Sequence, residues 1–330
     1  MRKASLREKW EKFLQLEAEM TEEQKRKREC FLEPETRCDY YIDAKMKSVW
    51  KALLDILEEI MRVCDKYNLQ WTLEGGSLLG AIRHNGFIPW DDDIDVVMPR
   101  EDYDKLVKVL PNELPPHLFM QTTSTDIGFH IPHVMVRDSR TTGIDIDHIK
   151  WGKKFNMGIR VDILALDGMP DTSIGRWMIR HFVSFFVCCI PRDVNQISKM
   201  SFRHKIKQLL AGIVFRILGR NGVYKVREAC LRMCQLKKHK YCGSLVARNF
   251  YHPHSVREYA WFRGYKKIPF EYLEVPVPID AEKILTQQFG DWKRPVKGGS
   301  YHGVLISDPH VDYKTYLKAH YNYCDGDFEY

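Results

Sequence analysis

The sequence predicts a mixed α/β (α+β) protein, a sheet core flanked by helices with a helical insertion in its second half. Three observations predict it. Apolar residues recur at three- and four-residue steps over 44–67, the period of an amphipathic helix packed on a core. Short apolar runs punctuated by Gly, Asn, Asp or Pro follow at 69–73, 94–98 and 157–164, which is the length and bounding of strands. Strand, helix and strand alternate through the first half, whereas 174–240 carries long helical patterns.

In chain order, residues 1–30 mix charged and apolar positions without Gly or Pro and read as an exposed helical arm, taken here as 1–43. Val49, Leu53, Leu54, Leu57, Ile60, Met61 and Cys64 mark the buried face of the helix that follows, which should end near 66–68. The run LQWTL at 69–73 reads as a strand and 77–83 as a helix. After the Asn85-Gly86 turn signal, IDVVM at 94–98 is a buried strand and 101–110 a helix. MGIRVDIL at 157–164 is a further strand, broken by Asp167-Gly168-Met169-Pro170, with Asp167 shaping the turn. These elements place a core at 44–173. Residues 174–265 form a basic helical insertion, with 202–218 one of its helices, and 266–330 complete the core domain.

Composition narrows the setting. Hydrophobic residues are 44% and charged residues 29% of the 330, a globular balance. The first twenty residues contain no apolar leader and no stretch approaches the roughly 18 apolar residues of a bilayer span, so the expected location is the cytoplasm. The nine cysteines form no disulfide-like framework and read as reduced thiols. Cys230 and Cys234 lie four apart, but no second pair follows at zinc-like spacing. The net charge of +7 is unevenly spread: from Arg176 to Lys240 there are 15 Lys and Arg against Asp193 and Glu228, so this window carries +13 and the remainder is net acidic.

The chemically informative window runs from Leu73 to Arg100, LEGGSLLGAIRHNGFIPWDDDIDVVMPR. Gly75-Gly76-Ser77 sits where a strand passes into a helix, so backbone N–H groups can approach phosphates at a helix N-terminus. Asp93 and Asp95 lie two apart at the start of the next strand, which puts both side chains on one face. Paired carboxylates repel unless a cation lies between them, and such a pair is suited to presenting Mg²⁺ to a phosphorylated substrate. Four aspartates within five positions (Asp91, Asp92, Asp93, Asp95) exceed what an ordinary acidic turn needs, although Asp92 itself reads as solvated. A third carboxylate is found in Asp162, flanked by Val161 and Ile163, a position where Asp is a poor choice for strand stability.

At these residues the sequence resembles the LicD family of phosphocholine transferases, which also embraces the fukutin-related proteins. The resemblance rests on LEGGSLLGAIRHNGFIPWDDDIDVVMPREDY, on RDSRTTGI from Arg137, on RVDILALDGMP from Arg160 and, more loosely, on VPVPIDAEKILTQQFGDWKRP from Val275, together about a third of the chain. It implies a nucleotidyltransferase-like fold in which Gly76 and Ser77 supply the turn, Asp93 and Asp95 the D-x-D, Asp162 the third metal-binding carboxylate and Asp91 an accessory acid. It further implies Mg²⁺, or Mn²⁺ in its place, and transfer of a phospho-alcohol from a CDP-linked donor to a sugar hydroxyl with release of CMP. The acceptor would be a cell-surface glycan, lipopolysaccharide or teichoic acid precursor, including one carried on a lipid. Met135 stands two positions before Arg137 where the family pattern has a basic residue, leaving Arg83 and Arg137 as the cations for the donor phosphates.

Two other readings stand beside this one: a nucleotidyltransferase releasing pyrophosphate, and a non-catalytic basic adaptor for membrane or nucleic acid. The chain lacks the Gly-aromatic signature of an RNA recognition motif and any zinc-finger spacing, so no nucleic acid is expected. Trp71, Trp90 and Trp151 are either core residues or walls of a choline cage. For 174–240 the alternatives are peripheral contact with the inner face of a membrane, or apolar faces turned into the core with a solvated basic surface.

Overall fold

The computed structural model describes residues 5–126, 128–129, 131–150, 154–189, 202–244, 255–296 and 305–328. The arm is two helices, α1 (Leu6–Ala18) and α2 (Glu22–Phe31). They are separated because Thr21 caps α2, its hydroxyl accepting from the Gln24 amide while the Gln24 side chain accepts from the Thr21 amide. A small ribbon, β1 (Glu35–Arg37) with β2 (Tyr40–Ile42), leads to α3 (Ala44–Tyr67), whose bounds match the periodicity. Asp43 caps its start and Asn68, in the left-handed region at φ 50°, ends it.

The main sheet is built around two parallel neighbours, β4 (Ile94–Pro99) and β8 (Ile159–Met169). On the far side of β4 lies β3 (Thr72–Leu73), antiparallel and much shorter than the five-residue strand expected. Against the other edge of β8 run β6 (Val134–Asp138), itself paired with β5 (Leu118–Gln121), and then β9 (Tyr241–Gly243) with β10 (Arg257–Glu258). Ile94, Val96 and Met98 of β4 and Val161, Ile163 and Ala165 of β8 are buried, and α3 and α5 (Arg100–Glu113) pack on the sheet.

Asp167-Gly168-Met169 does not break this strand. β8 continues to Met169 because Asp167, fully buried, receives two hydrogen bonds from the Arg100 guanidinium at 2.6 and 2.7 Å, and Arg100 also donates to Glu228 at 2.7 Å. Asp167 is therefore a buried ion-pair residue, not a turn former.

Among the described residues, 174–265 hold the helices α7 (Ser173–Cys188) and α8 (Phe202–Met233), which follow α6 (Ile146–Lys150), together with β9 and β10. Gly219, at φ 63° and ψ 175°, interrupts α8, so the helix expected over 202–218 is its first half. Beyond it come the ribbon β11 (Tyr265–Phe270) with β12 (Leu273–Pro278), α9 (Ala281–Phe289), β13 (Leu305–Asp308) and α10 (Tyr313–His320). β13 pairs with β7 (Thr142–Asp145), a contact between segments more than 150 positions apart. Among the described residues no helix is long and apolar enough to cross a membrane. The described cysteines, Cys230 and Cys234 included, are free thiols.

Candidate active site

The glycine turn and the aspartate strand are bonded to each other. α4 (Gly75–His84) starts beside the middle of β4: the Ser77 hydroxyl accepts from the Asp95 amide at 2.9 Å, and the Glu74 amide donates to the Asp95 carbonyl at 2.9 Å. Ser77 thus fixes the backbone that carries Asp95. Gly75 is needed for its conformation, φ +56°, and Gly76 for its lack of a side chain, since a Cβ there would stand 2.8 Å from Asp91 Oδ2. The bare Cα of Gly76 lets the Asp91 carboxylate lie against the first turn of α4. From below, the indole of Trp50 donates to the Asp91 carbonyl at 2.8 Å.

Strand register assembles the rest. Asp95 on β4 is directly opposite Asp162 on β8, and Asp162 is opposite Met135 on β6. Alternation along each strand puts Asp95, Asp162, Arg160 and Arg137 on one face of the sheet, with Asp93 at the mouth of β4. Arg160 Nε stands 3.5 Å and His133 Nε2 3.6 Å from Asp162 Oδ1. Burial pushes the Asp162 carboxyl up, but Arg160, His133 and Arg137 outweigh it and hold the group at about 2. At Asp95 the balance is the reverse: burial, followed by repulsion from Asp93, Asp162, Glu74 and Asp91, outweighs the attraction of Arg160 and drives its carboxyl well above the ordinary carboxylate range.

A small, shallow cleft opens beside this face. Asp92, Asp93 and Arg160 line one wall, and Gly143, Asp145, Leu305 and Ser307 of the β7–β13 ribbon line the other. Asp92, read from the sequence as a solvated turn residue, belongs to the cleft wall.

The site suits a hard divalent cation in donor type and charge. All the acids are oxygen donors, and the repulsion focused on Asp95 is what a cation would relieve. Among the described residues no three such side chains converge at coordinating distance, because Asp162 is turned toward Arg160 and His133.

The two candidate donor-binding arginines are engaged with the protein's own oxygens. Arg137 is buried and spoken for, donating to Gln121 Oε1 at 2.5 Å and the Gly158 carbonyl at 2.6 Å, and burial together with Arg160 lowers it to about 9. It packs beside Asp162 and Arg160 on the site's own face of the sheet. Arg83, in the last turn of α4, donates to the Trp292 carbonyl at 2.7 Å, about 10 Å along the helix from the glycine turn. The cation that does face the cleft, Arg160, was overlooked, although its position two before Asp162 in a strand was a legible signal. Glu74 was overlooked as well; it accepts from Arg257 Nη1 at 2.6 and 2.8 Å. Trp71 is a core residue, Trp90 packs edge-on against Tyr40, and Trp151 lies outside the described residues.

Residues 68–166 match the family model described as "LicD/FKTN/FKRP, nucleotidyltransferase domain". A lipopolysaccharide cholinephosphotransferase LicD of Haemophilus influenzae is 39% identical over 119 residues, which is 36% of this chain and 43% of that protein. The human ribitol 5-phosphate transferase FKRP is 42% identical over 52 residues, 16% of this chain and 10% of its own. The chain therefore aligns with less than half the length of either relative.

Proposed function

We propose that the protein, whose residues 68–166 match the LicD/FKTN/FKRP nucleotidyltransferase domain model, is a phosphotransferase that moves a phospho-alcohol from a CDP-linked donor to a sugar hydroxyl of a glycan precursor. The observation that carries the reading is the placement of Asp95 opposite Asp162 on parallel strands, one step from the Gly75-Gly76-Ser77 turn. That arrangement sets acidic oxygens beside backbone amides, the pairing needed to receive a diphosphate together with its counter-cation. The relatives' names support phospho-alcohol transfer to a glycan, phosphocholine in one and ribitol phosphate in the other.

In the proposed reaction the acceptor hydroxyl oxygen forms a bond to the distal phosphorus of the donor, the bond from that phosphorus to the bridging oxygen breaks, and CMP leaves. Asp93 and Asp95, joined by Asp162 once it turns from Arg160 and His133, would hold Mg²⁺, or Mn²⁺, and the ion would neutralise charge on the phosphate oxygens. Asp162, kept ionised by its cationic neighbours, accepts the hydrogen bond of the incoming hydroxyl and takes its proton. Arg160 lies on the cleft wall within reach of an anionic donor and stands in for the basic residue that Met135 replaces. Asp91, held against Gly76, adds negative charge that keeps a cation at this end of the cleft.

Incubation with CDP-choline, CDP-ribitol and CDP-glycerol and a sugar acceptor tests the proposal. It requires CMP and a phosphodiester-linked product from at least one donor. Pyrophosphate released from CTP instead would identify a nucleotidyltransferase.

A further inference from the structure

The insertion does not hide all of its apolar residues. Where α7 meets α8, Phe182, Phe185 and Phe186 pack against Ala211, Val214 and Phe215, so the hairpin has its own core. On α8 a second apolar set points outward. Ile206, Leu209, Leu210, Ile213 and Ile217 are exposed, Leu209 by 67% and Ile217 by 76%. At about 100° per residue these five fall within an arc of about 100°, forming one continuous stripe about 17 Å long, roughly opposite the inward-facing residues.

The charges flanking this stripe indicate what covers it. Lys205 and Arg216 fall along one edge of the arc, and no Asp or Glu occurs between Phe202 and Arg227, whereas Lys207 faces α7 and donates to Ser184 Oγ at 2.6 Å. A second copy meeting this face symmetrically would bring like charges together. Nucleic acid would leave the aliphatic residues without partners, as the stripe offers no aromatic ring for stacking. An anionic lipid surface satisfies both features, because the stripe enters the acyl boundary while Lys205 and Arg216 at its edge extend to the headgroups.

We propose that the first half of α8 is a membrane-surface helix that lays Leu209, Ile213 and Ile217 into an anionic leaflet, with Lys205 and Arg216 at the headgroups. The helix lies on the bilayer and does not cross it. The phenylalanines of α7 turn inward, as one of the two expectations for this segment has it, whereas the aliphatic stripe of α8 turns outward.

Co-sedimentation of the full chain with vesicles of equal parts phosphatidylglycerol and phosphatidylcholine tests the proposal. Binding should weaken with added salt and be lost on pure phosphatidylcholine. Lys205→Gln and Arg216→Gln should each weaken it about fivefold. Ile213→Gln with Ile217→Gln should abolish it while circular dichroism and the melting temperature stay as in the parent. If that double variant misfolds, the two charge variants decide alone. The proposal is overturned if the parent stays in the supernatant at low salt, if binding ignores these substitutions, or if the apolar double variant merely turns a dimer into a monomer without vesicle binding by the parent. No substrate enters the assay, so its failure leaves the transfer reaction untouched, and a failed transfer assay leaves membrane binding untouched.

Discussion

A methyl group added at Gly76 would meet the Asp91 carboxylate at 2.8 Å, whereas at Gly212 on α8 nothing lies within 4 Å. Gly76→Ala is therefore predicted to push Asp91 aside and lower turnover on the order of tenfold to hundredfold with little change in melting temperature. Gly212→Ala should leave turnover unchanged and stabilise the helix by about 0.5–1 kcal/mol. Kinetics and melts on the two variants check both outcomes. Asp93→Asn and Asp95→Asn should abolish turnover and leave the fold intact, with the metal-free melting temperature equal to or above the parent's, because each removes a repelling charge and little volume. Normal turnover in either one would remove the acidic cluster from the chemistry. The spacing of two between Asp93 and Asp95, and a lone Asp between Val161 and Ile163, were readable because strand periodicity is local. Arg160 was readable by the same period. His133 was not, since only the antiparallel pairing of β6 with β8 brings it to Asp162.

Among the elements, α1, α3 and α5 are joined at one side chain. Glu113, at the end of α5, receives Lys12 at 2.7 Å, Lys66 at 2.5 Å and the Tyr67 hydroxyl at 2.8 Å. Burial pushes its carboxyl up, but the two lysines and the tyrosine pull it down to about 2. A carboxyl depressed from its ordinary 4.5 stabilises the folded state above that value, and the contribution is lost as pH falls from about 4.5 toward 2. Lys12 and Lys66 are about half exposed, so solvent screens the cluster and its worth is about 1 kcal/mol. Glu113→Gln should lower stability by that amount at neutral pH and by less near pH 2, as read from urea melts; an equal loss at both would contradict the assignment. The helices were the most legible elements. Ala44–Tyr67 follows from seven apolar positions and a terminal Asn. β3 shrank to Thr72–Leu73, and β8 outran its expected end because a partner 67 positions away, Arg100, makes a buried Asp167 tolerable.

For the molecule as a whole, the cluster Arg100, Asp167 and Glu228 fastens the insertion to the sheet, one residue each from α5, β8 and α8. Arg100→Met removes the guanidinium that bonds both buried carboxylates, leaving Arg227 3.6 Å from Glu228, and should cost about 3 kcal/mol. Burial already pushes the Asp167 carboxyl up to about 6 against the pull of Arg100. The folded chain thus gains a proton there at higher pH than the unfolded one, so stability from this group falls as pH rises through about 6. The Arg100→Met deficit should therefore be larger at pH 8 than at pH 5 in urea melts, and equal deficits would contradict it. The cleft wall supplied by Leu305 and Ser307 had no signature in the sequence, because β13 finds β7 through tertiary pairing alone. The charge asymmetry was legible from the start, but which apolar residues face outward was fixed only by how α8 meets α7. The central claim, that Asp95 and Asp162 on neighbouring parallel strands form a cation-dependent phosphotransfer site, is tested most directly by one assay. CMP release from CDP-choline in the presence of a sugar acceptor is measured for the parent and for Asp162→Asn, each with Mg²⁺ and with excess chelator. The prediction is CMP from the parent with Mg²⁺ alone and a loss of several orders of magnitude in Asp162→Asn; undiminished release in the variant, or in chelator, would contradict it.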